Sequence, residues 1–517
     1  MDSWCGKILR AVFILPLMAG NYRRRRSGSW YYDCTISSRV LFLIVLSIVT
    51  VFTASRGIYT HTQIRLGFVL ILLSIIMISA VIGFCIIGYL VNKHGLRSVV
   101  AARRDTRTPK LQVVFIWMFG LASVCYCTFV MCKQIECSIN SSGGLFWNIL
   151  LTFNILLVVC LFLQMIVITY FLPYELKPTN LVNFTMYMLL IANVSMLLYV
   201  FLISNTFGFI WDKVHHHNVT SCLVNNSTIS LLLSKSRPIL KPTFTEFCLL
   251  SCTILLEIWS PTKVHLPSEE TSDIEINDMH ESERSPLLTA VPVEHRSRNE
   301  GRRTACQLVT QILSIVLGLA FTVCYVAIAM GIGNTDNIQY VAQIYELTLK
   351  ILMMLSIFVG FFCLVNYCTP DNSSQALKSR EYVYLLSAFG LFMLHIGKGI
   401  GGDVSPNTTS YTLLFYTSIL SLFQDYLQVV FLLHANRCKK SDPRSNIDLL
   451  ESVLILTMIS NFILWLNDSF LISEFQNTRI LQNEPWDLMY EYLLPIAVFY
   501  RYTSFLEYYA IFGQYNT

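Results

Sequence analysis

The chain has 517 residues, 54% of them hydrophobic and only 13% charged, with a mean hydropathy of +0.55. A soluble domain carries about 25% charged residues, so a polytopic membrane protein is the class that fits. The net charge of +5 sits in short loops beside apolar runs, which argues against a nucleic-acid surface. Many of the sixteen cysteines, such as Cys85, Cys125, Cys127 and Cys160, lie inside apolar runs and read as small packing residues. Cys137 and Cys222 fall in loops expected outside the membrane and form a candidate disulfide. No CxxC pair or His/Cys cluster has zinc-finger spacing.

The first 38 residues hold an apolar run, Ile8 to Ala19, followed by Arg23 to Arg26. Twelve residues are too few to span a bilayer, which takes about 20. The charge also follows the run, where a signal peptide has it first. The segment reads as a cytosolic interfacial anchor.

Twelve spans follow, at 39–58, 66–91, 111–132, 145–172, 180–205, 239–259, 305–330, 343–367, 380–401, 411–434, 449–470 and 486–512. The 92–110 loop carries Lys93, Arg97, Arg103, Arg104, Arg107 and Lys110, whereas the 331–342 loop carries no Lys or Arg. Basic loops stay in the cytosol, so both termini are expected inside. The sequons at Asn140, Asn218, Asn225, Asn226, Asn407 and Asn467 fall in or beside the external loops of that topology and are the candidate glycosylation sites.

Residues 261–304 are polar and aperiodic, with seven acids between Glu269 and Glu283, and read as a disordered cytosolic linker. The linker divides an N-half (39–260) from a C-half (305–517), giving an all-α integral membrane protein of two six-helix halves. The halves echo each other. Span four carries Gln164 in Leu-Phe-Leu-Gln-Met-Ile-Val and span ten carries Gln428 in Asp-Tyr-Leu-Gln-Val-Val-Phe. Span five carries Asn193 and span eleven Asn461. With both halves entering from the cytosol the repeat is parallel, a form that channels and transporters share.

Charged groups inside spans are costly and mark function or pairing. Glu346 and Lys350, four residues apart, read as a pair on one helix face. Glu257, Lys398 and Glu507 sit near span ends, where they can snorkel. Asp425 and Arg501 are candidate partners across the bundle, and His395 is a candidate titrating group. Glu246, in Pro-Thr-Phe-Thr-Glu-Phe-Cys-Leu-Leu, has no opposite charge within a turn and suits a group that binds and releases protons. Gln164, Asn193, Gln428 and Asn461 read either as a water path or as interhelical hydrogen bonds. His215, His216 and His217 form an external run able to sense acid or zinc. No serine, histidine and aspartate arrangement for catalysis appears, and no cofactor is expected.

Several stretches resemble the otopetrin family of proton channels. Leu-Pro-Ile-Ala-Val-Phe-Tyr-Arg-Tyr-Thr-Ser (494–504) is similar to the family's last-helix pattern, Leu-Pro-Leu-x-Val-Phe-Tyr-Arg-Met-His-Ser. Ser-Asn-Phe-Ile-Leu-Trp (460–465) and the 239–259 stretch containing Glu246 resemble its span-eleven and span-six elements. The match covers spans three to six and ten to twelve. It implies a dimeric twelve-span subunit with an acid-activated proton conductance into the cytosol. It also implies Glu246 as the N-half pore glutamate, Gln164 with Tyr500 as a polar set between the halves, and Glu381 as the acidic residue of span nine. The family's pore histidine aligns with Thr503, which cannot titrate, so the C-half path is altered, wired through hydroxyls and water, or closed.

The sequence reading is thus a proton channel with Glu246, Gln164, Asn193, Gln428, Asn461, Tyr500 and Thr503 along its path, and Arg501, Asp425, His395 and Glu381 as charge or gating groups. Its expected partners are protons, a second copy of the chain and membrane lipid, with a sterol at helix interfaces as a further candidate. The plasma membrane is the expected location and an endolysosomal membrane the alternative. The rival function is a proton-coupled transporter of a small solute, and a non-conducting receptor or scaffold is third.

Overall fold

The computed structural model describes residues 21–24, 30–33, 35–57, 66–103, 109–140, 144–177, 179–204, 228–259, 305–329, 335–370, 379–403, 409–440, 448–470 and 484–515. His215 to His217, Asn218, Asn225, Asn226, Asn407, Cys222 and the 261–304 linker lie outside them, as do the side chains of Asn140 and Cys137.

Long α-helices occupy every stretch expected to span. In chain order they are α1 (Thr35–Gly57), α2 (Leu66–His94), α3 (Pro109–Asn140), α4 (Gly144–Phe171), α5 (Asn180–Leu198) and α6 (Thr228–Ile258). The second set is α7 (Ala305–Ala329), α8 (Thr335–Tyr367), α9 (Ser379–Asp403), α10 (Thr409–Ala435), α11 (Asp448–Phe470) and α12 (Glu484–Tyr515). Among the described residues, nine of these helices are long and apolar enough to cross a membrane. Helix is forced because lipid offers no partner for a backbone N–H or C=O. Hydroxyls inside the apolar runs bond back to their own helix, as Thr53 does to Val49 O at 2.7 Å and Thr457 to Val453 O at 2.8 Å. Outward-facing Leu43, Ile75, Phe362 and Leu386 are exposed, as suits side chains that meet lipid tails.

Three small antiparallel strand pairs were not expected. A hairpin of β1 (Asn21–Arg24) and β2 (Trp30–Asp33) takes in part of the N-terminal arginine cluster. Strand β3 (Val100–Arg103), following α2, pairs with β4 (Tyr174–Leu176), following α4. Strand β5 (Cys368–Pro370), following α8, pairs with β6 (Cys438–Lys440), following α10. The last two pairs occupy equivalent places in the two halves.

The helix contacts repeat in the same way. In the N-half, α2 packs on α4 and α5, α1 on α5, and α3 on α4 and α6; in the C-half, α8 packs on α10 and α11, α7 on α11, and α9 on α10 and α12. Close approaches recur too. A Cβ on Gly83 of α2 would lie 3.0 Å from Thr185 of α5, and one on Gly360 of α8 would lie 3.2 Å from Val453 of α11 and 2.7 Å from Phe431 of α10. The halves are therefore a parallel repeat, with α6 reaching across to α9, α11 and α12. Phe115 and Phe119 of α3 pack there against Trp465 of α11 and Tyr502 of α12, with ring centroids 4.9 to 6.0 Å apart.

Candidate functional site

The repeated amides of the two halves bond to each other. Gln164 Nε2 of α4 donates to Asn193 Oδ1 of α5 at 2.7 Å, and Gln428 Nε2 of α10 donates to Asn461 Oδ1 of α11 at 3.0 Å. Asn193 also donates to Leu189 O and Asn461 to Thr457 O, at 2.9 and 2.8 Å. All four amides are buried, so they act first as interhelical bonds, worth about 0.6 kcal/mol each. Gln164 therefore pairs within its own half and not with Tyr500 across the seam, because its helix neighbour is α5.

Glu246 of α6 belongs to the seam. Its Oε1 accepts from Trp465 Nε1 at 2.7 Å and from Ser469 Oγ at 3.0 Å, both on α11 of the other half. Trp465 and Ser469 are one helical turn apart, so both donors point the same way. The side chain is 1% exposed, and its Oε2 has no hydrogen-bond partner. A bare buried carboxylate oxygen costs about 1–3 kcal/mol, and it is a free seat for a proton. The resemblance implied a role inside the N-half; the donors that hold Glu246 come from the C-half.

Asp425 of α10 is the hub of a buried charge cluster. Arg501 of α12 clamps it with two hydrogen bonds, at 2.5 Å to Oδ1 and 3.0 Å to Oδ2. His395 Nε2 of α9 lies 3.0 Å and Lys350 Nζ of α8 3.6 Å from the same Oδ2. Lys350 thus reaches across to Asp425, while the charges of Glu346 and Asp468 also act on it. Arg501 and Lys350 meet on a single aspartate, which neither shares with solvent.

Between the halves lies a small cavity of about 10 Å³ lined by Gln112, Leu250, Thr253, Arg380, Val383, Tyr384, Thr503, Leu506 and Glu507. That is about the space one water occupies. Thr253 of α6 and Thr503 of α12 face it from the two halves. Arg380 closes one end by bridging Glu257 of α6, at 3.5 Å, and Glu507 of α12. Asn436 adds a bond to Glu507 at 3.1 Å. Glu257 and Glu507 are therefore buried in a shared ion cluster and do not snorkel. Thr503 lines this cavity, with its hydroxyl bonded to Phe499 O and Tyr500 O at 3.0 Å. Glu381 lies further out, 3.5 Å from Arg437.

Asn467, a candidate glycan site by its sequon, is 1% exposed inside α11, where the packed helices leave no room for a glycan. Sequence reasoning missed Arg380, Tyr384 and Ser469 as site residues. Their only signal was polarity at positions that face α12 or α6, which shows once helix neighbours are known.

A repeated helical membrane bundle with buried carboxylates, amide bridges and a wet-sized cavity at its seam is of ion-channel or transporter type. Residues 204–502 match the family model described as Otopetrin. The matched stretch is more than half of the chain, and the chain belongs to the otopetrin family, a class of multi-pass membrane channels. It runs from just beyond α5 into α12, so nearly all of the likeness noted for spans three to five falls outside it. No curated protein matches the chain.

Proposed function

We propose that the protein is a proton-selective channel that passes protons into the cytosol when the outside is acidified. The observation that carries this reading is Glu246, a fully buried carboxylate held on one oxygen by Trp465 and Ser469 and bare on the other. A proton can seat on that oxygen, whereas a hydrated metal ion has no room. The basic 92–110 loop supports a cytosolic β3–β4 end and cytosolic termini, and the expected assembly is a plasma-membrane homodimer.

The transporter reading has one observation in its favour. Both α6 and α12 carry proline within the helix, Pro238 and Pro242 in the one and Pro495 in the other, and proline-weakened helices suit alternating access. Whole-cell current during external acidification separates the two. A channel gives a current that reverses at the proton equilibrium potential, whereas a transporter gives one that needs a solute and saturates with it.

A further inference from the structure

Three helices bring charge to one level of the seam. Glu257 follows Thr253 by four residues on α6, Glu507 follows Thr503 by four on α12, and Arg380 precedes Tyr384 by four on α9. Thr253, Thr503 and Tyr384 line the seam cavity, so each charge stands one helical turn beyond its wall, towards one end of the bundle. That end is the one with the strand pairs. Tyr515 of α12 donates to Cys438 O of β6 at 3.2 Å, Arg437 meets Glu381 at the start of α9 at 3.5 Å, and α6 touches β4.

Arg380 occupies the middle of this level. Its Nε lies 3.5 Å from Glu257 Oε1 and also meets Glu507 Oε1, while Asn436 holds the other Glu507 oxygen at 3.1 Å. The Arg380 side chain is 22% exposed, against 5% and 7% for those of Glu257 and Glu507. The guanidinium is therefore the boundary between the cavity and the surroundings at the strand end. Glu246 precedes Glu257 by eleven residues, which puts both on one face of α6 about 16 Å apart. The bare carboxylate and the ion bridge belong to the same seam.

We propose that Arg380 is a latch that closes the cytosolic end of the seam, tying the N-half through Glu257 to the C-half through Glu507. This rests on the proton-channel reading and on the orientation given with it. One guanidinium serves two carboxylates from opposite halves, so the contact with Glu257 survives only while the halves meet at that end. Separation there breaks that contact and admits cytosolic water to a cavity that has room for about one.

The test places a cysteine in the cavity wall, Thr503→Cys, and follows its labelling by a charged, membrane-impermeant thiol reagent. Sealed vesicles of each orientation carrying the full chain expose one face at a time, and the labelled peptide is quantified by mass spectrometry. With Arg380 in place, labelling is expected to be slow from both faces. Adding Arg380→Gln is expected to speed it from the cytosolic face by about tenfold or more, as loss of one charge-assisted bond implies, and to leave the outer face slow. If Arg380→Gln does not reach the membrane, Glu257→Gln takes its place with the same expectation. No change, or a rise from both faces as in a loosened fold, overturns the latch. Labelling is read without current, so the channel reading fails separately, when the unaltered protein passes no proton current.

Discussion

Trp465 Nε1 donates to Glu246 Oε1 at 2.7 Å across the line where the two six-helix halves meet. The carboxylate with the strongest claim to handle protons is thus held by the opposite half, and movement between the halves changes its donors directly.

Glu246→Gln keeps the shape of the side chain and removes the proton seat. Acid-evoked current is expected to fall by about tenfold or more while surface protein stays level. Current that persists at full size reduces Glu246 to a seam hydrogen bond. Trp465→Phe removes one donor and most of a ring contact, and a smaller loss is expected.

Asp425→Asn leaves Arg501 and Lys350 buried without their counter-charge. Breaking such a cluster costs about 3–5 kcal/mol, so detergent-solubilised protein is expected to melt well below the parent in a fluorescence thermal assay. Replacing Asp425 and Arg501 together by leucine and methionine removes both charges, and the double variant is expected to lose less than the sum of the singles. Additive losses contradict a coupled pair.

Gly390 lets α9 approach α12. A Cβ there would lie 2.5 Å from Ile496 Cγ2 and 3.0 Å from its Cβ, and a β-branched side chain cannot swing clear. Gly390→Ala is expected to cost about 1–3 kcal/mol by overpacking, seen as a lowered melting temperature. Gly88→Ala meets nothing within 4 Å and is expected to be silent.

Asn467→Gln is expected to leave the glycosidase-sensitive mass shift on a gel unchanged, because the residue is 1% exposed within α11. A lost shift shows that this part of α11 opens to the outside.

The helices and their order were legible because each apolar run has to satisfy its own backbone in lipid. The echo of Gln164–Asn193 in Gln428–Asn461 was legible as a repeat, but not as two hydrogen bonds, since only the pairing of α4 with α5 and α10 with α11 brings the amides together. Asp425 and Arg501 could be named as partners from their shared cost of burial. That Lys350 joins them depends on the rotation of α8, which its sequence does not encode. The seam was the least legible part. Arg380 lies next to the start of α9 and looked like an ordinary terminal charge, yet the crossing of α6 and α12 delivers Glu257 and Glu507 to it. The β3–β4 and β5–β6 pairs were hidden in loops whose strands, three or four residues long, are too short to show an alternating pattern.

The most direct test of the account is the reversal potential of the acid-evoked current, measured while the pH outside is stepped and sodium, potassium and chloride are exchanged in turn. A proton-selective path predicts a shift of about 59 mV per pH unit and no response to the other ions. A reversal potential that ignores pH, or that follows sodium, potassium or chloride, contradicts it.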